Sequence, residues 1–350
     1  MNDLVIAGRL IGPGHPCFII AEAGVNHNGD VALGLKLIDA AHTAHADAVK
    51  FQTFSPQALA AEQAPKAEYQ KQSEPAGQSE SQLAMLERLA LSPEAHRQLK
   101  AHAEAKGILF LSSPFDRESA DFLVELDTAA LKIPSGEVTN LPFLRYLAQK
   151  HLPLLMSTGM CTLDEVAQAV SAIRQAGNPP LGLFHCVSSY PARAADANLR
   201  CMQTLREAFS VPVGWSDHTL GIELGVASAA LGGNLIEKHL TLDRNLAGPD
   251  HRASLEPKEF ADLVTAVRSV ESALGDGKKA PVAAELEIAQ VARKSLFWKT
   301  SLPAGSEIRA EHLAALRPGT GLSPALETEF VGKKTARAVR AGDKISKTDI

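Results

Sequence analysis

Eight short apolar, β-branched runs recur along the first three quarters of the chain, and each is followed by a stretch with helical spacing of its apolar residues. The runs are "CFIIAEAGV" from Cys17, "DAVKFQTF" from Asp47, "ILFLSSPF" from Ile108, "ALKIPSGE" from Ala130, "PLLMSTGM" from Pro153, "LGLFHCVSS" from Leu181, "VPVGWSDH" from Val211 and "NLIEKHLTL" from Asn234. Between them, "ALGLKLIDAAHTA", "SPEAHRQLKAHAEAKG" and "TLDEVAQAVSAIRQAG" read as amphipathic helices. Runs that are continuously apolar, rather than alternating, suit strands covered on both faces. Eight such units over about 250 residues predict a (β/α)8 TIM barrel, an α/β fold. The open doubly wound sheet is the rival, but no GxGxxG follows the first run.

The pattern breaks at "SALGDGKKAPVAAE". The expected organisation is a barrel over residues 1–274, a linker over 275–290 and a small β-rich domain over 291–350, marked by Pro303, Gly305, Gly319, Gly321 and Gly342. At about 60 residues, the last piece is marginal alone and is expected to lean on something else. A formal charge of −5 argues against a nucleic-acid surface, while leaving room for a small anion held by a few local cations. Four scattered cysteines with no CxxC pair suggest reduced thiols. No basic leader and no membrane-length apolar run is seen, so a cytoplasmic protein with no membrane partner is expected.

In a barrel of this kind, chemistry gathers at the carboxyl ends of the strands. Nearly every run here ends in polar residues: Glu22 with Asn26 and His27; Lys50 and Gln52; Ser112 and Ser113; Lys132 with Ser135 and Glu137; Ser157 and Thr158; His185 and Ser188; Ser216 to His218; Glu237 to His239. Charged groups inside apolar strands are costly unless paired or functional. Lys50 and Lys132, beside hydroxyls at neighbouring strand ends, offer what a phosphate or carboxylate wants, or else they neutralise nearby glutamates. His218 and His239 close adjacent strands. Two neutral imidazoles can hold a divalent metal with open coordination, or can be ordinary buried histidines.

The segments "IIAEAGVNHNGD", "AVKFQTF", "APKAEYQ", "SSPFD", "KIPSGEVTNLPFL", "STGM", "SDHT", "IEKHLTLD" and "GPDHRASLEP", in this order, resemble the sialic acid synthase family. "RPGTGLSP" and "GKKTARAVRAGDKI" are similar to that family's antifreeze-like (SAF) domain. The resemblance implies a barrel enzyme that condenses phosphoenolpyruvate with an open-chain N-acylated mannosamine-type sugar, giving N-acetylneuraminate or N,N'-diacetyllegionaminate plus phosphate. It also implies a domain-swapped homodimer in which one chain's small domain caps the partner's site. Carried over by motif, His218 and His239 would ligate a divalent metal, manganese first, with magnesium or cobalt as substitutes. Lys50, Ser113, Lys132, Ser135, Ser157, Ser188 and Ser216 would hold the phosphate and carboxylate of phosphoenolpyruvate. Glu22, Gln52, Glu137, Tyr190, Asp217 and Asp250 would face the sugar and the reacting carbons, and Arg317 would reach the acylamino group from the partner chain.

The implied chemistry is attack of the phosphoenolpyruvate methylene on a metal-polarised aldehyde, water addition at the phosphate-bearing carbon, and C–O cleavage. Glu22 is the expected stabiliser of positive charge or base for water, and Glu137 a partner of sugar hydroxyls. Two rivals remain at this point: a Schiff-base aldolase using Lys132, and a non-catalytic sugar-binding protein. The acceptor sugar, N-acetylmannosamine or 2,4-diacetamido-2,4,6-trideoxymannose, is left open by the sequence.

Overall fold

The computed structural model describes residues 3–67, 70 and 80–350. It begins with a hairpin of β1 (Leu4–Ile6) and β2 (Arg9–Ile11), turned at Ala7 and Gly8, both with positive φ as a two-residue hairpin turn requires. All eight predicted runs then form parallel strands: β3 (Phe18–Gly24), β4 (Ala48–Thr53), β5 (Leu109–Pro114), β6 (Leu131–Ile133), β7 (Leu154–Ser157), β8 (Leu181–Cys186), β9 (Val213–Asp217) and β10 (Leu235–His239). They close in the order β10-β3-β4-β5-β6-β7-β8-β9, so the expected TIM barrel is the observed one.

The amphipathic stretches become helices on its outside, including Val31–Thr43, Pro93–Lys106 and Leu163–Ala176. Their starts are set by the side chains of Asp30, Ser92 and Thr162, each accepting a first-turn N–H. Their inner faces pack on outward strand residues such as Val49, Phe51, Ile236 and Met156.

Strand alternation sorts every strand into two faces. Inside the barrel, Phe18, Ile20, Ala48, Leu111, Ala130, Leu155, Phe184 and Leu235 form an apolar layer, and Leu4, Ile6 and Ile11 of the hairpin plug its amino end. Two residues further along the same faces stand Glu22, Lys50, Ser113, Lys132, Ser157, Cys186 and Glu237. The lower half of the barrel is therefore oil, and the upper half is charged.

The chain divides into two compact units, Met1–Gly275 and Asp276–Ile350. Ala283–Ala292 form a helix that takes up the second half of the stretch expected to be a linker and runs two residues past it, because "AAELEIAQVA" is rich in strong helix formers. The second unit pairs β11 (Ser295–Trp298) with β12 (Leu313–Leu316) around Trp298, Ile308, Phe330 and Ile345, and Trp298 donates to Asp349 at 3.1 Å. Among the described residues, no helix is long and apolar enough to cross a membrane.

Candidate active site

A cavity of about 430 Å³ opens at the carboxyl ends of the strands. Its floor is a quartet of buried charges. Lys50 Nζ lies 2.8 Å from Glu22 Oε2 and 3.8 Å from Glu237 Oε2, and Lys132 Nζ lies 3.3 Å from Glu237 Oε1. Hydroxyls complete the set: Lys50 donates to Ser113 Oγ (3.1 Å), Lys132 to Ser157 Oγ (2.7 Å), and Ser216 to Glu237 (3.2 Å).

Burial pushes the Glu22 carboxyl up to about 7 against the pull of Lys50. Burial acts the same way on Glu237, but Lys132 and Lys50 together outweigh it and hold this carboxylate below its usual range. Lys50, with two carboxylates around it, overcomes burial and is raised. For Lys132 burial wins, and it is the more easily deprotonated of the two ammoniums. Burying charges in this way is costly; Glu237 keeps its charge because two ammoniums are close, whereas Glu22 is left near the point of protonation.

Beside the quartet is a cradle of small polar groups. Ser135 Oγ accepts the Gly159 N–H at 2.9 Å and lies 3.2 Å from Cys186 Sγ. A side chain at position 159 would sit 2.4 Å from Ser188 Oγ and 2.7 Å from Cys186 Sγ, so the close approach needs glycine.

On the other side, His218, His239 and Tyr190 meet. The two imidazoles are 5.5 Å apart at 60°, and the Tyr190 ring lies 4.1 Å from His218 and 5.8 Å from His239. His218 Nδ1 donates to the Val187 carbonyl at 2.7 Å, which leaves Nε2 with its lone pair. His239 Nδ1 is buried without a hydrogen bond, with Asp250 Oδ2 4.0 Å away. Burial lowers His218 to about 4 and His239 well below its ordinary value, so both are neutral at pH 7. Asp250 is raised to about 6 by burial.

Among the described residues, no group of three or more His, Cys, Asp or Glu is placed to hold a metal. Neutral rings, one fixed in its tautomer by a backbone carbonyl and one with an orphaned nitrogen, nevertheless fit a two-nitrogen site completed by water and substrate oxygens.

Of the sequence-read residues, Glu22, Lys50, Gln52, Ser113, Lys132, Ser135, Ser157, Ser188, Tyr190, Ser216, His218, His239 and Asp250 all line this one cavity. Three do not. Asp217, expected to face the reacting carbons, points the other way: strand alternation puts it on the outer face of β9, where it pairs with Lys238 at 2.8 Å. Glu137 stands in a 3₁₀ turn past the end of β6, where its carboxylate takes a hydrogen bond from Asn140 at 2.7 Å. Arg317 belongs to the second unit, where its Nε donates to the Ala292 carbonyl at 2.9 Å.

The same alternation turns Ser112 and His185 outward, to Thr53 and the Ala197 carbonyl. Within the motif "APKAEYQ", Glu68 and Tyr69 lie outside the described residues. Glu237 stands out in the sequence only as one polar strand-end residue among many, although its place two residues before His239 on one strand announces a shared face. Sequence reasoning also misses an uncharged wall over β3 to β5, built by Val25, Leu59, Gln82, Met85, Leu86, Leu89 and Phe115.

The NeuB family model matches residues 37–279, and a SAF domain model matches 293–350. The chain belongs to the NeuB family. Two relatives of this NeuB-family chain are N,N'-diacetyllegionaminic acid synthases. That of Legionella pneumophila is 47% identical over 93% of this chain and 92% of its own length, and that of Campylobacter jejuni is 44% identical over 90% and 94%. Among solved structures, the N-acetylneuraminic acid synthetase of Leptospira borgpetersenii, in complex with citrate, superposes with a TM-score of 0.72. It is 36% identical, covering 82% of this chain and 95% of that one. The resemblance read from the motifs is therefore a family membership, and the NeuB-family chain is a nonulosonic acid synthase.

Proposed function

We propose that the chain joins phosphoenolpyruvate to open-chain 2,4-diacetamido-2,4,6-trideoxymannose, yielding N,N'-diacetyllegionaminate and inorganic phosphate. One observation carries the reading: a buried two-lysine, two-carboxylate floor and a pair of neutral imidazoles share one cavity of about 430 Å³. For the acceptor, the support is the higher identity to the two legionaminate synthases and the wall's chemistry. A wall of Leu, Met, Val, Phe and an amide suits a methyl and acylamino groups better than a hydroxymethyl or a phosphate.

Each group then has work matched to its environment. Lys50 and Lys132, with Ser113, Ser135, Ser157, Ser188 and Ser216, hold the phosphate and carboxylate through charge-assisted hydrogen bonds. Gln52, Tyr190 and Asp250 line the sugar side. A divalent ion held by His218 and His239, manganese first, would supply Lewis-acid polarisation of the aldehyde. As the phosphoenolpyruvate methylene bonds to the aldehyde carbon, positive charge develops at the phosphate-bearing carbon. Glu22 faces that carbon, stabilising the charge and taking a proton from the incoming water; its raised pKa suits a proton acceptor near neutrality. C–O cleavage then releases phosphate, whose charge the lysines compensate. Glu137, at the rim, contributes at most to the sugar's outer hydroxyls. Arg317 reaches the acylamino group from the partner of a cytoplasmic homodimer.

A Schiff-base reading has one observation in its favour, the lowered pKa of Lys132. The assay that decides is phosphate release from phosphoenolpyruvate with each sugar, with and without EDTA and added manganese. Turnover with the diacetamido sugar, lost on chelation and restored by manganese, supports the proposal. Borohydride trapping of a pyruvate adduct on Lys132, with indifference to EDTA, overturns it.

A further inference from the structure

We propose that the buried Lys238–Asp217 ion pair is a bracket that fixes the His218 and His239 imidazoles in register to share one divalent ion. The inference rests on the metal reading of those two histidines. Lys238 and Asp217 are directly paired across the parallel β9–β10 ladder, and each immediately precedes one of the histidines in the chain. By strand alternation the pair points outward and His239 inward; His218, one residue past the end of β9, lines the same cavity.

The bonds close around His218 from both sides. Lys238 Nζ donates to Asp217 Oδ2 at 2.8 Å and to the Thr219 carbonyl. Asp217 Oδ1 accepts the Thr219 N–H at 2.9 Å and its hydroxyl at 2.7 Å. The backbone before and after His218 is thus tied to the residue that precedes His239, and the Ala192 N–H holds the His218 carbonyl at 2.8 Å.

Stability alone does not explain this choice. Both side chains are 0% exposed, beside an outer layer that includes Ile236, Leu240, Ala229 and Leu263. A buried ion pair is rarely more stabilising than apolar residues of the same volume, because desolvation cancels its attraction. What the pair provides, and an apolar contact does not, is direction: two hydrogen bonds from Lys238 join the strands, and two more within residues 217–219 hold the backbone on either side of His218. The roles of Asp217 and Lys238 are positioning roles, one bond removed from the chemistry.

The test is a manganese titration, read by the electron paramagnetic resonance signal of free Mn²⁺, alongside thermal melting and turnover. The proteins are the full-length wild type, His239→Ala, the charge-neutral double variant Asp217→Asn/Lys238→Met, and Thr219→Val, which removes one bond and no charge. The double variant is expected to melt within a few degrees of wild type, to bind Mn²⁺ roughly 10- to 100-fold more weakly, and to recover kcat at saturating Mn²⁺. Thr219→Val is expected to show a smaller weakening in the same direction, and it decides the matter if the double variant does not fold. Unchanged Mn²⁺ affinity in whichever variants fold overturns the bracket alone. Loss of turnover that saturating Mn²⁺ does not restore also overturns it, since that marks a merely structural role. Failure of wild type to bind Mn²⁺, or binding undisturbed by His239→Ala, overturns the metal pair itself and the bracket with it.

Discussion

Glu237→Gln is the sharpest probe of the charged floor, because it removes one charge and almost no volume. Its carboxylate faces Lys132 at 3.3 Å and Lys50 at 3.8 Å. With an effective dielectric near 20, these attractions are about 5 and about 4 kcal/mol. Most of this is offset by the carboxylate's own desolvation, which the amide does not incur. The net cost of removing one partner from a buried pair is about 3–5 kcal/mol, roughly a 10 °C fall in Tm for a unit of this size. Trp215, buried on the neighbouring β9, makes intrinsic fluorescence a suitable readout of the melt.

The variant's uncompensated ammonium should then be satisfied by an anion. Saturating phosphoenolpyruvate should raise the Tm of Glu237→Gln by several degrees more than that of wild type, narrowing the gap. A variant that melts within about 2 °C of wild type, or equal shifts of both proteins by phosphoenolpyruvate, would refute the idea that Glu237 keeps two lysines in charge balance until substrate arrives.

Other expectations follow from single contacts. Gly159→Ala places a methyl 2.4–2.9 Å from Ser188, Cys186 and Ser135, so KM for phosphoenolpyruvate should rise at least tenfold while Mn²⁺ affinity stays unchanged; equal loss of both would argue against a separate anion cradle. Gly214→Ala drives a methyl to 1.9 Å from the Leu235 carbonyl oxygen; β9 and β10 must part, and a loss of at least ~2 kcal/mol in chemical denaturation is expected. Glu22 is raised to about 7 in the folded chain from an ordinary 4.5. The stability contributed by its protonated form is therefore complete below about 4.5 and is lost as pH rises through about 7. In Glu22→Gln the stability-pH curve should lose about one proton's worth of slope over that window, and kcat should fall by at least ~100-fold; retention of wild-type slope would deny the shift.

The barrel is legible in the sequence because a strand covered on both faces must be apolar along its whole length, and eight such runs leave few other arrangements. The site is legible where a residue lies on a strand. Lys50 and Gln52, Ser216 and His218, and Glu237 and His239 are each two apart, so each pair shares a face and meets its neighbours in the cavity. The same parity, applied strictly to the sequence, turns Asp217 and Lys238 outward; grouping "SDH" as one cluster ignores it.

Parity carries one residue past β9, to His218, but fails further from a strand's end. Glu137 follows β6 into a 3₁₀ turn, and nothing in "IPSGE" says which way that turn aims its side chain. The wall of Leu59, Met85, Leu86 and Leu89 comes from the long insertion between β4 and β5, whose helices are placed by packing against Phe54 at its start and against Val25 and Phe115 beyond other strands. The hairpin at Leu4–Ile11 is hidden for a related reason: three-residue strands carry too little pattern, and their burial depends on a barrel end that only the closed fold creates. Strands thus announce both the existence and the direction of their functional groups, whereas loops announce at most the first. The proposed acceptor contacts are loop-borne, and acceptor choice is for this reason the property on which relatives with one shared barrel are expected to diverge.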